Sequence, residues 1–297
     1  MNNVDGSMRA GYAFAVTSSM GSALAVVIGK WNLEAVSPLL LNCLIFSIAT
    51  ILLSGVLLPF RGIRKTFTLT RRGWLWLSLF AASSWVALWA FWAGVQQMDP
   101  SLAAFLNRSE VPVAILLGMI FLKERFNRTE ILGMLLSIAG IVIMRLTLRI
   151  EYSTGFYLVL LGSLFFGITE FVSKIALRHV EPVVLAYIRG MFMAGVFWIV
   201  FLGSGQGFDG LGEVWPGVIA LGFTGPVLAR LLYLSALKRM ALSKVAVISQ
   251  SQPVYVILIA FLALGQLPTF REITGGICLT AGCLLMIMSR QVNRGRS

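Results

Sequence analysis

The chain has 297 residues, 58% of them hydrophobic and 12% charged, with a mean hydropathy of +0.87 and a formal net charge of +12. A soluble domain carries about 25% charged residues, so water-soluble enzyme domains are excluded and an all-α integral membrane protein is predicted. Cys43, Cys278 and Cys283 lie in apolar runs and His179 is the one histidine, so no spacing suits a disulfide scaffold, zinc or haem, and neither metal nor cofactor is expected.

Apolar stretches of about 20 residues predict ten transmembrane spans, at 10–29, 38–58, 74–95, 101–121, 130–146, 154–173, 183–202, 215–236, 244–264 and 272–289. The first is long enough to span and no small-residue cleavage site follows it, so it reads as a helix rather than a signal peptide. Of the 24 Lys and Arg, 17 fall in the alternate segments that include the N-terminus, among them Arg61, Arg64, Lys65, Arg71 and Arg72. The opposite set holds four: Lys30, Arg145, Arg149 and Arg271. The positive-inside rule then puts both termini in the cytoplasm. In a bilayer the +12 charge marks orientation, and no nucleic-acid partner is expected.

The two halves of the chain echo each other. Gly11 and Gly155, Lys30 and Lys174, and Pro38 and Pro182 are each separated by 144 residues; Pro112 and Pro253 are separated by 141, and Gly140 and Gly282 by 142. Each half, 1–150 and 151–297, supplies five spans. An odd number forces the copies to cross the membrane in opposite directions, giving two inverted five-helix repeats, a recurring architecture of secondary transporters.

These residues carry a resemblance. With Lys30 and Pro38, Lys174 and Pro182 followed by Arg189, and the stretch from Ser101 through Pro112, Lys123-Glu124-Arg125, Gly133 and Gly140, the chain resembles the drug/metabolite transporter superfamily, specifically its ten-span EamA-type members. The resemblance covers nearly the whole chain. Two positions depart from the family pattern: Ile45 stands where an Arg equivalent to Arg189 is frequent, and Gly265-Gln266 replaces an acidic turn. The resemblance implies a multi-pass transporter of the bacterial cytoplasmic membrane, with export favoured. It leaves the cargo open among amino acids, quaternary amines, nucleotides, sugars and drugs.

Arg108, Glu110, Glu170, Arg189 and Arg230 fall within predicted spans. An ionisable group there costs at least about 2.5 to 3.5 kcal/mol, so each is expected to face the bundle interior, a partner or water. Glu170, Arg189 and Arg230 share a depth in the cytoplasmic third and form a candidate inner gate, with a static ion pair as the alternative. Arg108 and Glu110 lie near the midplane. Two residues apart on a continuous helix they are rotated by about 200°, which leaves Glu110 without an intrahelical partner and makes it a candidate proton carrier beside Asn107, unless a second helix supplies a cation; the alternative is a buried carboxylic acid hydrogen-bonded to the backbone kinked near Pro112. Their repeat equivalents fall in Ser249-Gln250-Ser251-Gln252, a polar run before Pro253 that reads as a discontinuous site helix.

Trp85, Trp89 and Trp92 recur along one helix face. Trp85 and Trp89 form a candidate aromatic wall for an aromatic or quaternary ammonium group, with plain packing or lipid contact as the alternative. Gly21, Ala25 and Gly29, and Gly133, Ser137 and Gly140, are small-residue stripes suited to close helix packing. Lys30 and Lys174 either snorkel to opposite interfaces or meet charged substrate at the two mouths.

The candidate substrate residues are therefore Trp85, Trp89, Asn107, Arg108, Glu110, Ser249 and Gln252. The expected partners are a small-molecule substrate, the lipid bilayer and protons as coupling ion. A zwitterion's carboxylate would meet Arg108 and its ammonium either Glu110 or a Trp face. The alternatives are a choline-like quaternary amine or drug carrier, a membrane-embedded enzyme, and a non-transporting scaffold. No constellation of nucleophile and base supports an enzyme, and no Walker-type loop supports ATP drive.

Overall fold

A computed structural model describes residues 2–57, 71–122, 128–147, 153–177, 180–240, 245 and 248–294. Segments 58–70 and 123–127, with many of the basic residues that set the expected orientation and the Lys123-Glu124-Arg125 turn, lie outside the described residues, as does His179.

Among the described residues all regular structure is helical: α1 (Asn2–Asn32), α2 (Pro38–Leu57), α3 (Arg71–Gln96), α4 (Pro100–Asn107), α5 (Glu110–Leu122), α6 (Arg128–Thr147), α7 (Ser153–Ala176), α8 (Pro182–Gly203), α9 (Leu211–Gly222), α10 (Arg230–Arg239), α11 (Gln252–Leu264) and α12 (Phe270–Arg294). A π-helical stretch, Phe223–Ala229, joins α9 to α10. Among the described residues six segments are long and apolar enough to cross a membrane: Arg9–Asn32, Pro38–Gly55, Trp74–Gln96, Thr154–Ala176, Pro182–Gly203 and Leu211–Arg239. Ile131–Ile143, Gln252–Leu264 and Glu272–Met286 are shorter apolar helices.

Local chemistry accounts for the helix starts. Pro38, Pro100 and Pro182 open α2, α4 and α8, where a missing N–H costs nothing and the fixed φ favours the helix. α12 opens on a reciprocal cap: the Thr269 N–H donates to Glu272 Oε2 at 2.7 Å, and the Glu272 N–H donates to Thr269 Oγ1 at 3.4 Å. Within α2 the hydroxyls of Ser47, Thr50 and Ser54 are satisfied locally, each donating to the carbonyl four residues back at 2.7 Å. This lets them sit at membrane depth without orphaned donors.

Each long helix packs antiparallel against a helix of the other half. α6 lies on α12, α3 on α7, α2 on α8, and α1 on the α9–α10 segment. In α6 against α12, a Cβ at Gly140 would lie 2.6 Å from the Gly275 carbonyl oxygen, and one at Gly133 would lie 2.7 Å from that of Gly282. Shifting by 142 residues exchanges these two contacts. The stripe of α1 is buried similarly, Gly21 against Ala229 and Gly29 against Trp92. Both expected small-residue stripes are thus contact faces.

One expectation is corrected. The stretch 101–121 is not one continuous helix kinked at Pro112; the helix breaks at Arg108-Ser109, and Pro112 sits in the first turn of α5. The break removes the 200° rotation that separated Arg108 from Glu110. The eighth apolar stretch holds, within Leu211–Arg239, and changes to π-helical pitch around Pro226, because a proline inside a helix has no N–H to donate and its ring displaces the preceding carbonyl.

Candidate functional site: a cavity between two broken helices

A cavity of about 290 Å³ lies at the centre of the helices. The break between α4 and α5 and the polar run before α11 both contribute to its wall. Asn107, Arg108 and Glu110 line it from the first, and Ser249 and Gln252 from the second. The backbone leaves the helical path at both places. On the far side of each gap Glu110 starts α5 and Gln252, followed by Pro253, starts α11.

Arg108 holds the two breaks together. Its Nη1 donates to the Ser249 carbonyl at 3.0 Å and its Nη2 to Gln252 Oε1 at 2.7 Å. The same Nη2 lies 3.3 Å from Glu110 Oε1, so Glu110 has the intrahelical partner that a continuous helix would have denied it. Arg108 is 3% exposed. Asn107 Oδ1 accepts from Ser163 Oγ at 3.4 Å, which fixes the end of α4 against α7.

The expected gate residues line the same cavity. Arg230 Nη1 donates to Glu170 Oε1 at 2.7 Å, and the guanidinium lies over the rings of Phe80 and Tyr233 at 5.7 and 5.4 Å. Arg189 is near enough to feel both charges. It makes no ion pair with either, and its guanidinium sits over Phe46 at 5.6 Å. Glu110 and Arg230 also act on one another electrostatically, so the Arg108–Glu110 and Glu170–Arg230 pairs share one charged field.

Trp85 and Trp89 do not form the expected wall. Trp89 is 36% exposed on the outer face, and Trp85 packs on Phe197 with ring centroids 6.2 Å apart. The third tryptophan of the series lines the cavity, together with Phe46, Phe91 and Phe166. A helix bundle has only part of each helix facing inward, and the inward arc of α3 includes Trp92 but not Trp89.

Sequence reasoning also missed Ser18, Ser19 and Ser22 of α1, and Tyr233 of α10, all cavity-lining. The serines were visible as a polar cluster in the middle of an apolar run, and Tyr233 as a neighbour one turn from Arg230. At one end of α1, Lys30 Nζ donates to the carbonyls of Val95 and Gln96 at 3.1 and 2.8 Å, while Gln96 Nε2 returns a bond to the Leu33 carbonyl at 3.1 Å. An ammonium on the last carbonyls of α3 is electrostatically favoured there, and it ties α1 to α3. Its repeat equivalent, Lys174, lines the cavity.

Among the described residues no group of three or more His, Cys, Asp and Glu side chains comes together. The arrangement suits reversible binding of a small solute that is polar at one end and apolar at the other.

The comparisons agree with a carrier. The chain is 23% identical over 239 residues to an uncharacterized transporter of Synechocystis, covering 75% of this chain and 68% of that one. It is 27% identical over 276 residues to an uncharacterized transporter of Archaeoglobus fulgidus, covering 89% and 92%. A solved crystal structure shares the fold, with a TM-score of 0.67 over 96% of this chain and 99% of that one at 16% identity. The EamA-like transporter family is matched twice, by residues 9–146 and by residues 153–288. The chain belongs to the EamA-like transporter family and is a multi-pass membrane protein.

Proposed function

We propose that the chain is a secondary active transporter that exports a small organic metabolite, with amino acids the first class to test, across the bacterial cytoplasmic membrane by alternating access. On this reading it crosses the membrane ten times, as two inverted five-helix repeats over 1–150 and 151–297, with both termini in the cytoplasm. The carrying observation is the cavity at the meeting of two helix breaks, lined from equivalent places in the two halves. Discontinuous helices of this kind line substrate sites in inverted-repeat transporters. The antiparallel pairing of α6 with α12 and the exchange of their glycine contacts under a 142-residue shift support the inversion.

The Lys30 contact between α1 and α3 acts as the outer closure, and the Glu170–Arg230 pair, with Arg189 beside it, acts as the inner gate. Protons are the coupling ion, taken up at Glu110. The test is flux: protein reconstituted in liposomes loaded with mixed amino acids should release them faster than empty liposomes when the internal pool is concentrated. Flux no greater than that of protein-free vesicles, for amino acids and for a wider panel of organic acids and amines, would overturn the reading.

A further inference from the structure

Six charged side chains line the cavity among the described residues. Arg108, Lys174, Arg189 and Arg230 are basic; Glu110 and Glu170 are acidic. Both acids are taken, Glu110 by Arg108 and Glu170 by Arg230. Arg189 stands apart. It is 6% exposed, its Nε is buried without a hydrogen-bond partner, and among the described residues no carboxylate lies within 4.0 Å of it. Its near neighbours are the ring of Phe46, the like charge of Arg230 and, beyond ion-pair distance and already held by Arg230, the opposite charge of Glu170.

A guanidinium does not give up its proton and presents five donors in a planar fork. Burying one without a counter-ion is costly. A repelling arginine nearby raises that cost, and a face-on phenyl ring offsets only part of it. Arg108 was the expected carboxylate anchor, but its Nη atoms are held by Ser249, Gln252 and Glu110. Donor atoms are also left over on the other two, Nε of Arg108 and Nε and Nη2 of Arg230, but among the described residues Arg189 is the cavity-lining guanidinium that has no carboxylate partner. Its equivalent 144 residues earlier is Ile45, also cavity-lining, so the cation stands on one side only.

We propose that Arg189 is the docking group for an anionic substrate. The cavity takes a small organic carboxylate, whose two oxygens accept from the Arg189 fork while its apolar or aromatic body lies along the wall that begins at Phe46 and includes Trp92. Bound carboxylate supplies the missing counter-ion for Arg189 and screens it from Arg230. A quaternary amine meets the reverse field and is disfavoured. The inference rests on the transporter reading and narrows its cargo to carboxylates, amino acids included.

The test uses the purified full chain and three probes of similar shape: 3-phenylpropionate, phenethylamine and 3-phenylpropan-1-ol. The wild-type protein is expected to bind the carboxylate at least about tenfold more tightly than either of the others, as the Arg–carboxylate pair implies. Arg189→Gln should erase that preference while the alcohol binds as before, and Arg189→Lys should restore part of it. Equal or tighter binding of the amine, an unchanged preference in Arg189→Gln, or no binding of any probe would overturn the proposal. If Arg189→Gln does not fold, the wild-type ranking of the three probes decides. Flux in liposomes separates the two readings. Transport of amines with no preference for carboxylates sinks the anion site and leaves the transporter, whereas carboxylate binding without flux of any solute sinks the transporter and leaves the site.

Discussion

Arg108 donates through Nη1 to the carbonyl of Ser249, the residue 141 positions later, at 3.0 Å. The two stand at equivalent places in the halves, one beside each helix break, so the bond joins one repeat to the other at the cavity wall. Gln252 and Glu110 complete the arginine's partners. Arg108→Gln should therefore destabilise more than an ordinary cavity-lining change. Removing one member of a buried charged pair costs about 3–5 kcal/mol, and thermal unfolding in detergent should show a clear drop in Tm. An unaltered Tm would mean that other contacts hold the breaks together.

Gly140 and Gly282 lie where α6 and α12 touch backbone to backbone. Gly140→Ala places a methyl 2.6 Å from the Gly275 carbonyl oxygen and 2.5 Å from the Leu279 nitrogen, and neither atom can move without the helix. Overpacking of this kind costs about 1–3 kcal/mol. Gly195→Ala, which meets open space inside α8, is the control and should leave Tm unchanged or slightly raised, since Ala favours the helix over Gly.

Glu170 of α7 and Arg230 of α10 are held at 2.7 Å and both line the cavity. If the pair closes the inner side, Glu170→Gln should raise labelling of a cysteine introduced at Ser173 by a membrane-impermeant reagent applied from the cytoplasmic side, in a protein that still folds. Unchanged labelling with a lower Tm would identify a static clamp.

Glu110 lines the cavity with its charge balanced by Arg108. A proton reaching Glu110 would dissolve that pair and alter the field at the substrate site, which is how coupling would operate. Glu110→Gln should abolish uptake or efflux driven by an imposed pH difference and leave exchange between equal substrate pools at least partly intact, since exchange needs no net proton movement. A mutant that still concentrates substrate on a pH gradient alone would clear Glu110 of the role.

The split of basic residues, 17 against four, predicts orientation. A cysteine introduced in 203–214 should react with an impermeant reagent in intact cells, and one in 66–70 only after permeabilisation. The opposite pattern would reverse the membrane orientation and with it the assignment of inner and outer gates.

The sequence alone determined that this is a helical membrane protein, because hydropathy and the need to satisfy backbone groups in lipid leave few other structures for such a composition. It also determined where α2, α4 and α8 begin, since Pro38, Pro100 and Pro182 act within a single turn. The polar run at 249–252 marked one break in advance because its cost is local. The break at Arg108-Ser109 was not legible: Pro112 is the visible breaker, yet the chain leaves the helix ahead of it, where Arg108 gains partners on a segment 141 residues away. For the same reason only tertiary structure decided that Arg108 pairs with Glu110, that Trp92 rather than Trp89 faces the cavity, and that Arg189 is left without a carboxylate. Periodicity fixes which residues share a helix face, but the direction of that face and the identity of a partner depend on how distant helices pack.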